Sequence, residues 1–504
     1  MNYYIIVVIA INFTFYFIHN LHMYQLNYYK PVVQRKWLMN NLSLISVNTS
    51  LSLLQIVLLL VNEPTIAIVL STLQIVYNFP KKAKKKLSFT PRVKRIVVET
   101  VLVFLILLVL NSVYFPNYNY ILGYISIMLV PLILLFVDYT QKPLNEYINN
   151  GFINEAKDIL KENPNLLVIG ITGSYGKTSM KYFLAEFLST KYNVLKTPGN
   201  FNTTLGVVRT VREQLKSTHE IFVCEMGATK PNDIKEICDL VHPKHGIITS
   251  IGPQHLESFK TIETVIQTKY ELARALPDDG KLFLNFDNEY IKKYKSGHDP
   301  ITYGCLTDDL DYQAKDIKTN SEGLSFKVKN VKFTTKLIGN HNITNIVGAL
   351  AVADKLGIKI KDLVETVRRL EPVPHRLELK NQGNRIIIDD AYNSNPLGAA
   401  SALDAISGFK EIKVIITPGM VELGTKEDEY NYQFGKQIAE VCDYVILVNE
   451  NQTKSIFKGL IDSKYSKSKI FICKTIEDAF KQLKVLESEG KLVVLLENDL
   501  PDQY

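Results

Sequence analysis

Long charge-free runs alternate with short basic loops through the first 139 residues. Residues 1–29 contain no Asp, Glu, Lys or Arg, and neither do residues 37–62 and 64–80, which are parted by Glu63 and Pro64. Residues 96–137 carry Glu99 alone and divide at Asn111–Asn119, around Pro116. A bilayer core takes about 20 apolar residues as helix. The pattern predicts five spans, near residues 3–22, 42–61, 64–79, 96–115 and 119–137, the third of them short.

After Asp138 the period changes. A polar connector over residues 140–164 has helical spacing through Ile153, Ala156 and Leu160 and stops at Pro164. The apolar run Leu166–Ile171 then ends in a glycine-bearing turn, followed by helical spacing from Ser179 to Tyr192 through Met180, Phe183, Leu184, Phe187 and Leu188. Further runs at 221–224, 246–249 and 281–285 alternate with helical segments, which predicts a doubly wound α/β sheet. Short strands are expected over 300–337, and a second α/β series at 385–389, 413–417, 444–448, 470–473 and 491–496. The expected organisation is an α-helical membrane domain (1–139), a central α/β domain (140–372) and a C-terminal Rossmann-like α/β domain (373–504).

Charge sharpens the division. Of the formal +7, residues 1–139 carry eleven Lys or Arg against Glu63, Glu99 and Asp138, so the rest of the chain is close to neutral. A nucleic-acid-binding fold would carry its surplus on the binding fold, so no nucleic-acid partner is expected. The basic residues follow the first expected span (Lys30, Arg35, Lys36) and the third (Lys81 to Arg95). By the positive-inside rule these loops and everything beyond Asp138 are cytoplasmic, making this a multi-pass protein of the cell membrane. The five cysteines follow no C-x-x-C spacing, which fits reduced thiols and not a zinc or disulfide framework.

The sharpest local signal is Gly170-Ile-Thr-Gly-Ser-Tyr-Gly-Lys-Thr-Ser179, on a strand–turn–helix. Glycines there let backbone N–H groups turn towards phosphate oxygens, Lys177 reaches the β- and γ-phosphates, and the Thr178 hydroxyl ligates magnesium. The following helix points its N-terminus at the anion. Ile171 stands where the strict phosphate-loop pattern has its first glycine.

With this loop the chain resembles the Mur ligases, and within them the branch that adds D-alanyl-D-alanine, whose variant loop T-G-[ST]-x-G-K-[TS] matches Thr172, Gly173, Ser174, Gly176, Lys177 and Thr178, with Ser179 next. The resemblance runs on in order over about residues 165–504. Thr197-Pro-Gly-Asn200-Phe-Asn202 looks like the substrate loop, and Glu225-Met-Gly227 is similar to a metal-binding E-M-G. Ser250-Ile-Gly-Pro-Gln-His255-Leu-Glu257 resembles I-G-x-x-H-L-E, and Lys269-x-Glu271 matches the site of a carbamylated lysine. Gly339-Asn-His-Asn342-x-x-Asn345 matches the adenine-side motif, and Pro374-His-Arg376 with Asp389-Asp390-x-Tyr392-Asn393-x-Asn395-Pro396 opens the C-terminal domain.

The resemblance implies an ATP-dependent ligase that activates a carboxylate as an acyl phosphate and joins it to an amine. It implies two magnesium ions, one on Thr178 and Glu225 and one on His255, with Lys269 anionic as a carbamate. Arg376 would face the γ-phosphate, Asn342 and Asn345 the adenine, and Asp390 the ribose. Asn200, Asn202, Tyr392 and Asn393 are then substrate-binding candidates. The expected partners are a cell-wall peptide precursor, an amino acid or dipeptide, and membrane lipid. Extending another envelope polymer, such as poly-γ-glutamate or a pseudomurein-like peptide, uses the same chemistry. A phosphate-loop motor or sensor gives no role to His255, Lys269 or Arg376.

The chain also departs from the family. The family's UDP-binding domain has no room between residues 140 and 165, Thr203-Thr204 replaces an Asn-acid pair, Gly419 stands where an Asp is usual, and Asn431 stands near a usual His. ATP chemistry is untouched by these changes; the two substrates' contacts are not.

Overall fold

A computed structural model describes residues 2–79, 85–114, 120–254, 256–320, 323–391 and 395–499. Residues up to Asn149 form one unit and Asn150–Asp499 a second.

The first unit is helical: α1 (Asn2–Leu26), α2 (Pro31–Asn40), α3 (Leu42–Leu60), α4 (Pro64–Asn78), α5 (Pro91–Tyr114), α6 (Ile121–Met128) and the start of α7 (Val130–Lys161). Proline opens α2, α4 and α5, where its missing N–H costs nothing and its φ suits a first turn. Three described helices are long and apolar enough to cross a membrane, α1 from Tyr4, α3 and α5. At 15 residues α4 is about 22 Å long, short of a hydrocarbon core of about 30 Å. The stretch read as one span over 119–137 is broken: α6 and α7 meet at 75° around Leu129. Pro131 explains the break, because it lacks an amide hydrogen and its ring crowds the carbonyl of Ile127. The lysines read at 81, 82 and 84 lie outside the described residues.

Aromatic and aliphatic side chains fill the interior of this unit, among them Ile9, Phe13, Tyr16, Phe104, Tyr124 and Leu134. Through it runs a chain of buried amides. Asn78 Nδ2 donates to Asn12 Oδ1 (3.1 Å) and Asn48 Oδ1 (2.7 Å), Gln74 Nε2 to Asn48 Oδ1 (2.9 Å), and Gln55 Nε2 to Gln74 Oε1 (3.1 Å). Ser71 and the Tyr124 hydroxyl pair at 2.8 Å. Charge gathers at one end, where Asp138 takes Arg92 at 2.7 Å and the Tyr24 hydroxyl at 2.8 Å.

The second unit opens with the amphipathic end of α7, continuous with α7 through the residues expected to be a connector; Ile153, Ala156 and Leu160 pack on a sheet. That sheet holds β1 (Leu167–Thr172), β2 (Val194–Lys196), β3 (Ile221–Glu225), β4 (His245–Ile248), β5 (Lys281–Asn285), β6 (Ile301–Gly304) and β7 (Tyr312–Gln313) in the order β2-β3-β1-β4-β5-β6-β7. All its pairings are parallel. Both faces are covered, which is why its strands read as near-continuous apolar runs. Ile169 and Ile171 face a core with α8 (Lys177–Leu188) and the helix Asn340–Lys355, while Val168, Phe222 and Cys224 face one with α9 (Thr204–Gln214) and α10 (Asp233–Val241). On β1 a Cβ at Gly170 would sit 2.7 Å from the tip of Leu272 and 2.9 Å from that of Met226, so both side chains would have to shift.

Three antiparallel strands follow, β8 (Lys315–Asn320), β9 (Gly323–Val328) and β10 (Val331–Thr335). The last sheet contains β11 (Glu378–Gln382), β12 (Arg385–Asp390), β13 (Ile412–Thr417), β14 (Tyr444–Val448), β15 (Ile470–Cys473) and β16 (Leu492–Glu497). Its order is β11-β12-β16-β13-β14-β15, with β11 alone antiparallel. The two parallel sheets bring the carboxyl ends of β1, β3 and β4, and of β12, β13 and β16, into loops, where α/β folds place ligands.

Candidate active site

The turn after β1 is shaped by its glycines. Gly173 (φ +149°) and Gly176 (φ +79°) adopt conformations that L side chains rarely take. A Cβ at Gly173 would meet the Ser250 backbone at 3.0 Å, and one at Gly176 would lie 2.9 Å from Asn345 Oδ1. The segment after β4 clamps the turn: Ser174 N donates to Ser250 O (2.7 Å), Tyr175 N to Ser250 Oγ (3.0 Å), and Gly252 N to Ser174 Oγ (3.1 Å). Lys177 folds back into the hollow and donates to Gly173 O (2.8 Å) and Ser174 O (3.1 Å).

Glu225, at the end of β3, is the hub. Its Oε1 accepts from Thr178 Oγ1 and from Asn202 Nδ2, both at 3.1 Å, and its Oε2 lies 2.9 Å from Lys181 Nζ. Its own amide donates to Thr197 Oγ1 at 3.1 Å. Burial pushes its pKa up, but the charges of Lys181 and Lys177 outweigh this and the net shift is downward, so it stays ionised. Thr178 and Glu225 therefore present converging hard oxygen donors beside a phosphate loop, a set that fits magnesium.

Lys177, Arg376 and Lys269 act on one another here, with Asp390 beside Arg376. Lys177 is lowered to about 8 by loss of water and by the nearby Arg376, against the pull of Glu225. Lys269, buried at the end of the helix Ile262–Lys269, is lowered to about 7 by burial and by the charge of Lys177. Asp390, at the end of β12, is raised to about 6 by burial, opposed by Arg376, and its Oδ1 accepts from Leu377 N at 3.2 Å.

Other candidates have structural partners. Thr172 Oγ1 donates to Met226 O (3.0 Å), and Ser179 is buried in the first turn of α8. Asn342 Nδ2 donates to Ile338 O (2.8 Å), while Asn345 packs on Gly176. Asn200 is exposed, with its carbonyl accepting from Asn202 N (2.8 Å). Glu271 accepts from Asn232 N (2.8 Å) and Lys235 N (2.9 Å) at the start of α10. His255, Tyr392 and Asn393 lie outside the described residues.

Reasoning on the sequence missed Lys181 and Thr197 as partners of Glu225. The signal for Lys181 was its place four residues after Lys177, on the same face of α8. The departures at 419 and 431 prove to be matched. Asn431 Oδ1 accepts from Met420 N and its Nδ2 donates to Met420 O, both at 2.9 Å, and a Cβ at Gly419 (φ +85°) would stand 3.0 Å from that Oδ1. Thr203 caps α9 through Gly206 N (3.3 Å).

Residues 171–353 match the Mur ligase middle domain and residues 375–496 the Mur ligase glutamate ligase domain. The chain is 33% identical over 278 residues to the UDP-N-acetylmuramoyl-tripeptide–D-alanyl-D-alanine ligase of Bacillus subtilis, covering 54% of this chain and 60% of that protein. The Haemophilus influenzae protein of the same name is 28% identical over 355 residues, covering 67% of this chain and 76% of that one. The MurF ligase from Thermotoga maritima, solved in complex with ADP, superposes with a TM-score of 0.62 at 27% identity, covering 70% of this chain and 80% of that one.

Proposed function

The chain belongs to the Mur ligase family, and from that membership we propose that it is an ATP-dependent ligase that adds an amino acid or dipeptide to a cell-wall peptide precursor through an acyl phosphate. The observation that carries this reading is the convergence of Thr178 and Asn202 on Glu225 Oε1, beside a phosphate loop that holds Lys177 in its hollow. The domains would divide at about 139 and 372.

In this reading Lys177 exchanges its two carbonyl partners for phosphate oxygens, and Thr178 and Glu225 hold one magnesium ion, with His255 on a second. Magnesium supplies charge neutralisation on the transferred phosphoryl group. Arg376 offers its fork to the same group. Asn345 and Asn342 line the adenine side, and Asp390, ionised above pH 6 or so, accepts from ribose. Asn200, Asn202, Tyr392 and Asn393 meet the substrates. Lys269 is carbamylated: an amine with its pKa near 7 is largely neutral at physiological pH, and only the neutral amine attacks carbon dioxide. The carbamate turns an unfavourable neighbour of Lys177 into a favourable one.

The helical unit inserts in the cell membrane with the catalytic part in the cytoplasm, as the basic loops require. The carboxyl substrate is carried on a membrane lipid and not on a soluble UDP-sugar. Two features support this. The stretch 140–165 leaves no room for the family's UDP-gripping domain, and one span would suffice for anchoring, whereas α1, α3 and α5 all qualify.

Purified full-length protein in lipid nanodiscs, given ATP, tests the reading with UDP-linked or polyprenyl-linked muropeptide and candidate amines. Phosphate release that needs both a carboxyl precursor and an amine is expected, with higher kcat/KM for the lipid-linked precursor. Release independent of both would favour a motor or sensor. Preference for the UDP-linked precursor would overturn the lipid assignment alone.

A further inference from the structure

Lys181 has no role in the chemistry derived so far, yet it is among the most deeply buried cations of the chain, with its side chain 0% exposed. It sits one turn beyond Lys177 on α8, among inward-facing Met180, Phe183, Leu184 and Phe187. A buried ion pair is weak evidence of stabilisation, because desolvating two charges costs about what their attraction returns, and an apolar residue at such a position is often as good. The partners of the ammonium group are informative. It lies 2.9 Å from Glu225 Oε2 and donates to Gly199 O at 2.7 Å. Gly199 is the left-handed residue (φ +48°) at the turn of the Thr197–Asn202 loop.

The same loop is fastened to Glu225 twice more, by Asn202 Nδ2 on Oε1 and by the Glu225 amide on Thr197 Oγ1, each at 3.1 Å. Gly227 N then donates to Asn202 O at 2.6 Å. The beginning, turn and end of one loop are all pinned to one carboxylate and the residues beside it. We propose that Lys181 is a positioning residue that ties the Glu225 carboxylate to the Thr197–Asn202 loop, so that metal occupancy at Glu225 and the order of the substrate loop are set together. A divalent cation on Glu225 draws on the carboxylate that holds Lys181 and repels its ammonium. The load on the Gly199 carbonyl therefore changes when the ion arrives, and the loop responds. This rests on the reading of that loop as the seat of the carboxyl substrate.

The test uses the full-length protein and two readouts. Hydrogen–deuterium exchange of the amides from Gly199 to Gly206 is measured with and without magnesium, and KM for the carboxyl precursor is separated from kcat. Wild-type exchange should change on adding magnesium. In Lys181→Met the same amides should exchange at least tenfold faster and no longer respond to the ion, with KM raised at least tenfold and kcat lowered several-fold less. Lys181→Arg, which keeps the charge and can reach both acceptors, should recover most of the protection. Wild-type exchange in Lys181→Met, or a loss confined to magnesium affinity with the loop unaltered, overturns the proposal. If the Met variant does not fold, Lys181→Gln replaces it: retained protection without a magnesium response is expected, and a wild-type response overturns. Absence of any ligase turnover in the wild type would count against the ligase reading and leave the exchange result to decide this one.

Discussion

The helical unit and the α/β unit both bury polar side chains, but of different kinds. In the first a chain of neutral amides, Asn12, Asn48, Gln55, Gln74 and Asn78, bonds mainly to itself between helices, and the buried Asp138 with Arg92 stands at one end. In the second, Lys181, Glu225 and Lys269 are buried charges, and with Lys177 they crowd one turn. An amide transferred to an apolar interior costs a few kcal/mol unless it finds a partner, and it gives helix association direction in return. A charge costs far more, and is kept where a ligand of opposite sign can use it. In these two clusters the neutral amides join helices, and the crowded charges are the candidates for chemistry.

The largest effect should come from the charge nearest the phosphates. Lys177→Ala is expected to lower ATP-dependent ligation about 100- to 1,000-fold, the usual cost of removing one preorganised stabiliser. Circular dichroism and membrane insertion should be unchanged. A variant that keeps more than a few per cent of wild-type phosphate release would break the link between buried charge and chemistry.

Lys269 sharpens the comparison through pH. Its pKa in the folded chain is lowered from 10.5 to about 7, so the neutral amine that reacts with carbon dioxide predominates above pH 7 and is lost as pH falls through it. Activity should drop below about pH 7, and protein first stripped of carbon dioxide should regain more activity from added bicarbonate at pH 8 than at pH 6. Lys269→Ala should cost about 10- to 100-fold, as for groups that orient metal ligands, with part regained on adding short carboxylates. Activity indifferent to the substitution would remove the carbamate from the mechanism.

On the other side of the comparison, Gln74→Leu should destabilise the helical unit by about 1 kcal/mol, because Asn48 and Gln55 lose a shared partner. Thermal unfolding in detergent would read the loss, and nucleotide affinity should stay within twofold of wild type. A collapse of nucleotide affinity would show that the amide chain serves the reaction as well.

The turn after β1 was legible because a tight strand-to-helix turn demands glycines at fixed places, and those at 173 and 176 have positive φ. The parallel strands were legible because sheets covered on both faces write continuous apolar runs. The bend before Pro131 was not legible because an apolar run around a proline reads as one straight helix, while the backbone turns there by 75°. The edge strand β11 is polar at all but Leu379, with Lys380 paired to Glu378 and Asp389, and gave no periodic signal. Lys181 was hidden for a different reason: on a helix, one lysine reads like any other until the partner strand places a carboxylate beside it.

Glu271 offers the smallest and finest test, because it stands at the border between the two kinds of burial. Its place two residues after Lys269 suggests a part in the chemistry, whereas both carboxylate oxygens are spent on amide hydrogens at the start of α10, those of Asn232 and Lys235. That is a cap: the carboxylate satisfies two of the four donors a helix leaves open and places negative charge at the positive end of its dipole. Glu271→Gln keeps an acceptor oxygen but removes the charge, so the cost should be about 0.5 kcal/mol, within the range for a charge at a helix end. That corresponds to a fall in Tm of about 1–2 °C. Removing this charge also removes one of the two acids that hold the pKa of Lys269 up, so the amine becomes, if anything, easier to carbamylate. Ligase activity should therefore stay above half of wild type while Tm falls. A loss of activity at unchanged Tm would move Glu271 from the helix cap into the reaction and erase the border that the comparison draws.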